Sequence, residues 1–217
     1  MSLTKQKRVD LYSALMDEFK GRLSCINHAS QGRTGFPPLV NREFIYLQVR
    51  MICEVVALSC LVAHGDISVL QPHKLGRSYS ADDILERMSR LRAHFFPIPI
   101  TREWLNPGAP LHKRHYQITA VDPSPLAKAD LLALYGDTHR YLHRGSLKTL
   151  LAASASPAKP VDVSDLLQRA QKISDLLSHH LIAISEEQIM LCILANAETG
   201  GNVNVAICDK GELKLPS

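Results

Sequence analysis

NREFIYLQVRMICEVVALSCLVAH, residues 41–64, is the stretch on which the fold turns. Asn41 stands where a helix cap is needed, Glu43 falls in the first turn, and Gly65 follows His64 as a stop. Stepped at about 100° per residue, Ile52, Val55, Val56, Leu58, Leu61 and Val62 cover nearly the whole circumference. A helix that is apolar all round is a central one, surrounded by others. Its most apolar run, Met51 to Ala63, is 13 residues long and contains Glu54, too short to span a bilayer.

The segments around it read as its neighbours. Residues 4–24 form an amphipathic helix, with Tyr12, Leu15, Met16, Phe19 and Leu23 at helical spacing. Residues 29–40 carry Gly and a Pro pair and read as a loop. Residues 80–93 begin with Ser80 before two aspartates, a cap with acids in the first turn. The prolines of FFPIPITREWLNPGAP predict an extended, packed connection without regular structure over 95–120. Residues 125–145 are helical, with Ser124 as cap and Pro125 in the first turn, and the helix resumes through Leu151. A hinge-like loop (153–160) precedes a further amphipathic helix over 162–183. The period then changes. EEQIMLCILAN and NVNVAICDK are short strands joined by a loop containing Gly200 and Gly201.

The expected fold is mainly α: a bundle of about five helices with a C-terminal β-hairpin, α+β in class. Residues 1–160 form the bundle core, and 161–217 a C-terminal helix plus hairpin packed on it. A lone hairpin is marginal in water, so it packs on the bundle, meets a partner or joins another strand. The 217 residues carry a net charge of +4, with 46% hydrophobic and 21% charged residues, which suits a globular chain. The five cysteines form no CxxC and sit mostly in apolar runs, as reduced thiols of a cytoplasmic protein do. The N-terminal stretch mixes charges throughout and lacks a signal-peptide core, and no membrane association is expected.

Charge is unevenly spread. From Arg87 to His115 there are six basic residues, among them Arg87 and Arg90, against one acid, Glu103. That excess could meet phosphates. Residues 162–187 reverse the balance, with five acids facing Arg169 and Lys172.

Two polar clusters stand out. Arg50, Glu54 and His64 lie on one face of the central helix, Glu54 and His64 each about 40° from Arg50 on either side. Arg and Glu are rarely buried without partners, so this stripe meets polar groups of another helix or lines a cleft. The second cluster is YGDTHRYLHRG, 135–145. Tyr135, Thr138 and Leu142 form its core stripe. His139 and His143 flank that stripe, Arg140 neighbours His143, and Arg144 faces away. An edge histidine beside an arginine suits a general acid/base with a phosphate-binding cation. A basic helix C-terminus meeting the dipole is the structural alternative. His139 and His143 also have the i, i+4 spacing of metal ligands, but residue 140 is Arg and no third ligand is suitably spaced, so no metal is expected. G-x-S-x-G, P-loop and G-x-G-x-x-G patterns are absent, and no cofactor is expected.

LQVRMICEVVALSCLVAHGD (47–66) and LYGDTHRYLHRGSL (134–147) resemble the HEPN-like helical superfamily of prokaryotes. The resemblance implies a helical bundle, often dimeric. It implies either a metal-independent endoribonuclease of toxin or phage-defence type or an inactive binding module. The catalytic pattern of that superfamily is an Arg followed after four to six residues by a His. His143 is the natural His, but positions 136–138 are Gly, Asp and Thr. The order of expectations follows from that missing Arg. First comes a non-catalytic interaction module, oligomeric, binding a protein or RNA partner. The alternative is a ribonuclease with His143 as general acid/base. Arg140 or Arg50 would stabilise the transition state, Glu54 and His64 would complete the site, and His139, Arg144, Arg87 and Arg90 would hold the substrate.

Overall fold

The structure is a computed structural model that describes residues 3–65, 80–106, 108, 116–142, 163–196 and 200–209. Helix α1 (Lys5–Ser30) opens at Thr4, whose hydroxyl accepts the Lys7 amide at 3.2 Å. Tyr12, Met16 and Phe19 are fully buried along it, and Ile26 and Ala29 carry the buried stripe past residue 24 to the helix end. Helix α2 (Pro38–His64) starts three residues before the expected cap, because Pro38 has its φ already set and no amide to satisfy. Asn41 is therefore inside the helix. Its side chain donates to the Ala29 carbonyl at 2.8 Å and accepts from the Thr34 hydroxyl at 2.5 Å, tying the α1–α2 connection to both helices.

The end of α2 is as the sequence predicts. Gly65 takes the left-handed conformation, φ 64°, and its amide returns to the Leu61 and Val62 carbonyls. Arg8 of α1 lies across it and donates to the Ala63 carbonyl at 3.1 Å. A Cβ at position 65 would run into the Arg8 side chain, so glycine is required by both backbone and neighbour. By length and composition α2 could cross a bilayer, yet 61% of its most apolar window is buried inside the protein.

Helix α3 (Ala81–Leu91) buries Ile84, Leu85 and Met88, with Asp82 and Asp83 in its first turn. Helix α4 (Lys128–Leu142) begins later than expected. The Ser124 hydroxyl binds the Leu126 carbonyl instead of capping, and the Asp130 carboxylate accepts the Ala127 amide at 3.0 Å. Helix α5 (Ser164–Ser178) buries Leu166, Ala170, Ile173, Leu176 and Leu177. The expected helix end beyond Leu142, its resumption through Leu151 and the 153–160 loop lie outside the described residues.

The C-terminal hairpin is present as β4 (Gln188–Asn196) and β5 (Asn202–Asp209), and it is not alone. It belongs to a five-stranded antiparallel sheet completed by β1 (Ile98–Trp104), β2 (Tyr116–Ala120) and β3 (His179–Ala183), in the order β2-β1-β3-β4-β5. Two expectations are corrected here. Residues 95–120 hold strands, because Pro99 stands at the end of the β1–β2 ladder, where its carbonyl still accepts the Val121 amide at 2.9 Å and its missing amide interrupts no interior rung. The 162–183 helix stops at Ser178. Residues 179–183 leave it to pair with β1 and β4, an override of local period by sheet pairing with no Gly or Pro to announce it.

The sheet therefore takes strands from both the 1–160 and the 161–217 segments. One of its faces, with Ile182, Met190, Cys192 and Leu194, joins the helical core. Ile100, Leu181 and Ile189 form a second, smaller cluster. The protein is mainly helical and α+β.

Candidate functional site

The first polar cluster finds its partner on α4. Arg50 Nη2 donates to the Tyr135 hydroxyl at 2.6 Å, and that hydroxyl donates to Glu54 Oε1 at 3.1 Å. Arg50 Nε lies 3.3 Å from the same carboxylate oxygen, one turn along α2. The guanidinium also sits 4.3 Å from the centre of the Tyr135 ring. Burial, and then the Glu54 carboxylate, push the Tyr135 phenol above its ordinary pKa, so it stays a donor. Each charge in this triad is matched within it, and the triad joins α2 to α4.

Two residues on, α4 meets α5. Asp137 stands between Arg169 of α5, at 2.8 Å, and Arg140, at 3.6 Å; Arg169 is also 3.7 Å from Asp165. Tyr46 and Tyr141 stack beside them with ring centres 4.3 Å apart. Burial and the neighbouring Tyr141 raise the Tyr46 phenol to about 12. These groups line a cleft of about 460 Å³. Cys53 of α2 lies within the fields of both clusters: Arg169 and Arg50 lower its pKa, Glu54 raises it, and burial dominates to bring the thiol up to about 12.

Of the other predicted site residues that are described, only Arg140 reaches this cleft. His64 lies fourteen residues beyond Arg50, about 21 Å along the helix. It shares the face of Arg50 and Glu54 but not their site, which corrects the expected three-residue cluster. Its ring nitrogens are buried without a hydrogen-bond partner among the described residues. Burial, with the charges of Arg92 and Arg8, lowers its pKa to about 4, and the Ile184 backbone offsets this only in part. His64 is thus neutral at pH 7. Arg87 is half-buried on α3, and Arg90 is exposed and paired with Glu86 one turn back. His139 is exposed on α4, as is Arg140, whose side chain is 81% accessible. His143 and Arg144 lie outside the described residues.

A third polar pair was not foreseen. The buried ring of His180 faces the Leu177 carbonyl through Nδ1 at 2.8 Å and the Tyr12 hydroxyl through Nε2 at 2.5 Å. A carbonyl can only accept, so Nδ1 carries the proton and Nε2 accepts from Tyr12. Burial holds His180 down at about 4 and pushes the Tyr12 phenol well above its ordinary value. The signal was the strand pattern itself: once 179–183 is a strand, alternation sends one residue of the His179–His180 doublet inward.

No family model matches the chain, and no curated protein and no solved structure is significantly similar to it.

Proposed function

We propose that this chain is a non-catalytic helical interaction module of the HEPN-like kind, oligomeric, whose work is to bind a protein or RNA partner. One observation carries the reading. Arg50 and Glu54 are committed to Tyr135 and to each other, while His64 is neutral and about 21 Å away. A general acid/base must titrate near the working pH within hydrogen-bond reach of the reacting group, and the charge stabiliser must be free to meet it. Two of the described arginines instead tie helices together: Arg50 joins α2 to α4, and Arg169 joins α5 to α4. The exposed side chains of Phe36, Leu39, Val40, Leu47 and Tyr141 supply contact surface of the apolar and aromatic type that interfaces use.

The alternative reading, a metal-independent endoribonuclease, draws on the high exposure of Arg140, three residues before His143. The deciding experiment is incubation of structured and single-stranded RNA with the purified chain, with and without EDTA. The RNA is expected to remain intact. Cleavage that resists EDTA and disappears in His143→Ala would replace the module by the enzyme.

A further inference from the structure

The sheet ends at β5, which pairs on one side only. The ladder fixes which of its main-chain groups are left over. The Ile184 amide donates to the Gln188 carbonyl at 2.9 Å, so these two residues are a hydrogen-bonded pair. Bonded pairs recur at every second residue. Even-numbered residues of β4 therefore turn their amides and carbonyls to β3, and odd-numbered ones turn theirs to β5. Their partners on β5 are Asn204, Ala206 and Cys208. The amides and carbonyls of Val203, Val205 and Ile207 point the other way, out of the sheet. None of these groups meets a main-chain partner among the described residues.

This edge is weakly guarded. Its eight residues, NVNVAICD, hold no Pro and no Lys, and the extra residue of the ladder, between Ile193 and Asn196, lies in β4. The opposite edge, β2, has five residues and is followed closely by Pro123. The side chains of Val203, Val205 and Ile207 are half-buried against the helical core, and the exposed Asp209 ends the row.

We propose that β5 receives an extended segment of a partner protein as a sixth, antiparallel strand. This rests on the interaction-module reading and chooses protein over RNA as the partner. Three amides and three carbonyls, one of each about every 6.8 Å, are the complement of another extended main chain. RNA has no donors and acceptors at that repeat. A folded second copy would have to bring its own helical layer against α1, which packs on β5, whereas a bare segment brings only its side chains. Residues of the segment opposite Val203, Val205 and Ile207 share their face of the sheet, so they are apolar and β-branched. The residue opposite Asp209 is basic. Those between lie on the side of the exposed Asn204 and Cys208 and are polar.

The test uses the full chain and a peptide capped at both ends, Lys-Thr-Val-Thr-Val-Thr-Val-Thr. Amide hydrogen exchange followed by NMR reads each position. In the free chain Val203, Val205 and Ile207 are expected to exchange freely while Asn204 and Ala206 are protected. Saturating peptide slows the first three about tenfold or more. Val205→Pro removes an outward amide and no β4–β5 bond, so circular dichroism is retained and peptide affinity falls about tenfold or more. Methylating the valine nitrogens of the peptide, which face β5, abolishes binding; methylating its threonine nitrogens does not.

Protection of Val203, Val205 and Ile207 in the free, dilute chain overturns the proposal, because the edge is then already taken. Protection that grows with chain concentration gives the edge to a second copy and overturns it too. So does a peptide that leaves all three unprotected, or one that binds Val205→Pro as tightly as the parent. Each of these results, with RNA left intact, removes the added strand and spares the module. RNA cleavage lost in His143→Ala removes the module whatever happens at the edge.

Discussion

Arg50 meets Tyr135 twice, through a 2.6 Å hydrogen bond to the phenol oxygen and with its guanidinium 4.3 Å from the ring centre. The two residues sit on different helices, so this contact fixes the rotation of α4 against α2. The residues that follow on α4, Asp137 and Tyr141 included, inherit their position from it.

Tyr135→Phe keeps the ring and removes the hydroxyl that links Arg50 to Glu54. A hydrogen bond to charged partners contributes about 1.5–3 kcal/mol, and the remaining Arg50–Glu54 pair recovers part of that. The expected loss is about 1–2 kcal/mol in urea unfolding. Combined with Glu54→Gln, the two changes cost less than their sum, by about 0.5–1 kcal/mol, because they break one network. Strict additivity would show that the hydroxyl and the carboxylate act independently.

Acid should loosen the fold through His180. Its pKa falls from an ordinary value of about 6.5 to about 4 in the folded protein. The unfolded chain therefore binds the extra proton first as pH drops. This contribution to stability is intact above about 6.5 and lost as pH falls through 6.5 toward 4, amounting to about 3 kcal/mol. His64 shifts in the same direction and steepens the slope. Urea titrations between pH 7.5 and 4.5 measure it. His180→Gln is expected to be less stable at neutral pH but to show a shallower acid slope than the parent.

Gly65→Ala and Gly32→Ala separate backbone strain from collision. Both glycines have positive φ, 64° and 68°, but a Cβ meets Arg8 only at position 65. Gly32→Ala should cost about 1 kcal/mol, the strain of a left-handed L residue. Gly65→Ala adds the displacement of Arg8 from the α2 C-terminus, for a total of about 2–3 kcal/mol. Equal losses in thermal unfolding would mean that Arg8 moves aside freely.

The helices were legible because their apolar residues recur at helical period and their ends carry local chemistry, Gly65 above all. The pairing of Arg50 with Glu54 was legible for the same reason, being one turn apart on one helix. Pro99 concealed β1, since a proline inside a strand is tolerated only in a register that sequence does not reveal. Residues 179–183 concealed β3, because nothing marks the point where the α5 pattern gives way to pairing with β4. Arg169 and Asp137 could not be matched in advance: thirty-two positions separate them, and only the tertiary fold brings their side chains together.

The register of Ile98 with Leu181 has a consequence for synthesis. While the ribosome is still short of residue 183, β1 and β2 can pair, but the other edge of β1 has no strand to receive it. A bare edge recruits strands from neighbouring nascent chains. Premature termination anywhere between β2 and β3 should therefore produce aggregates instead of a smaller folded protein.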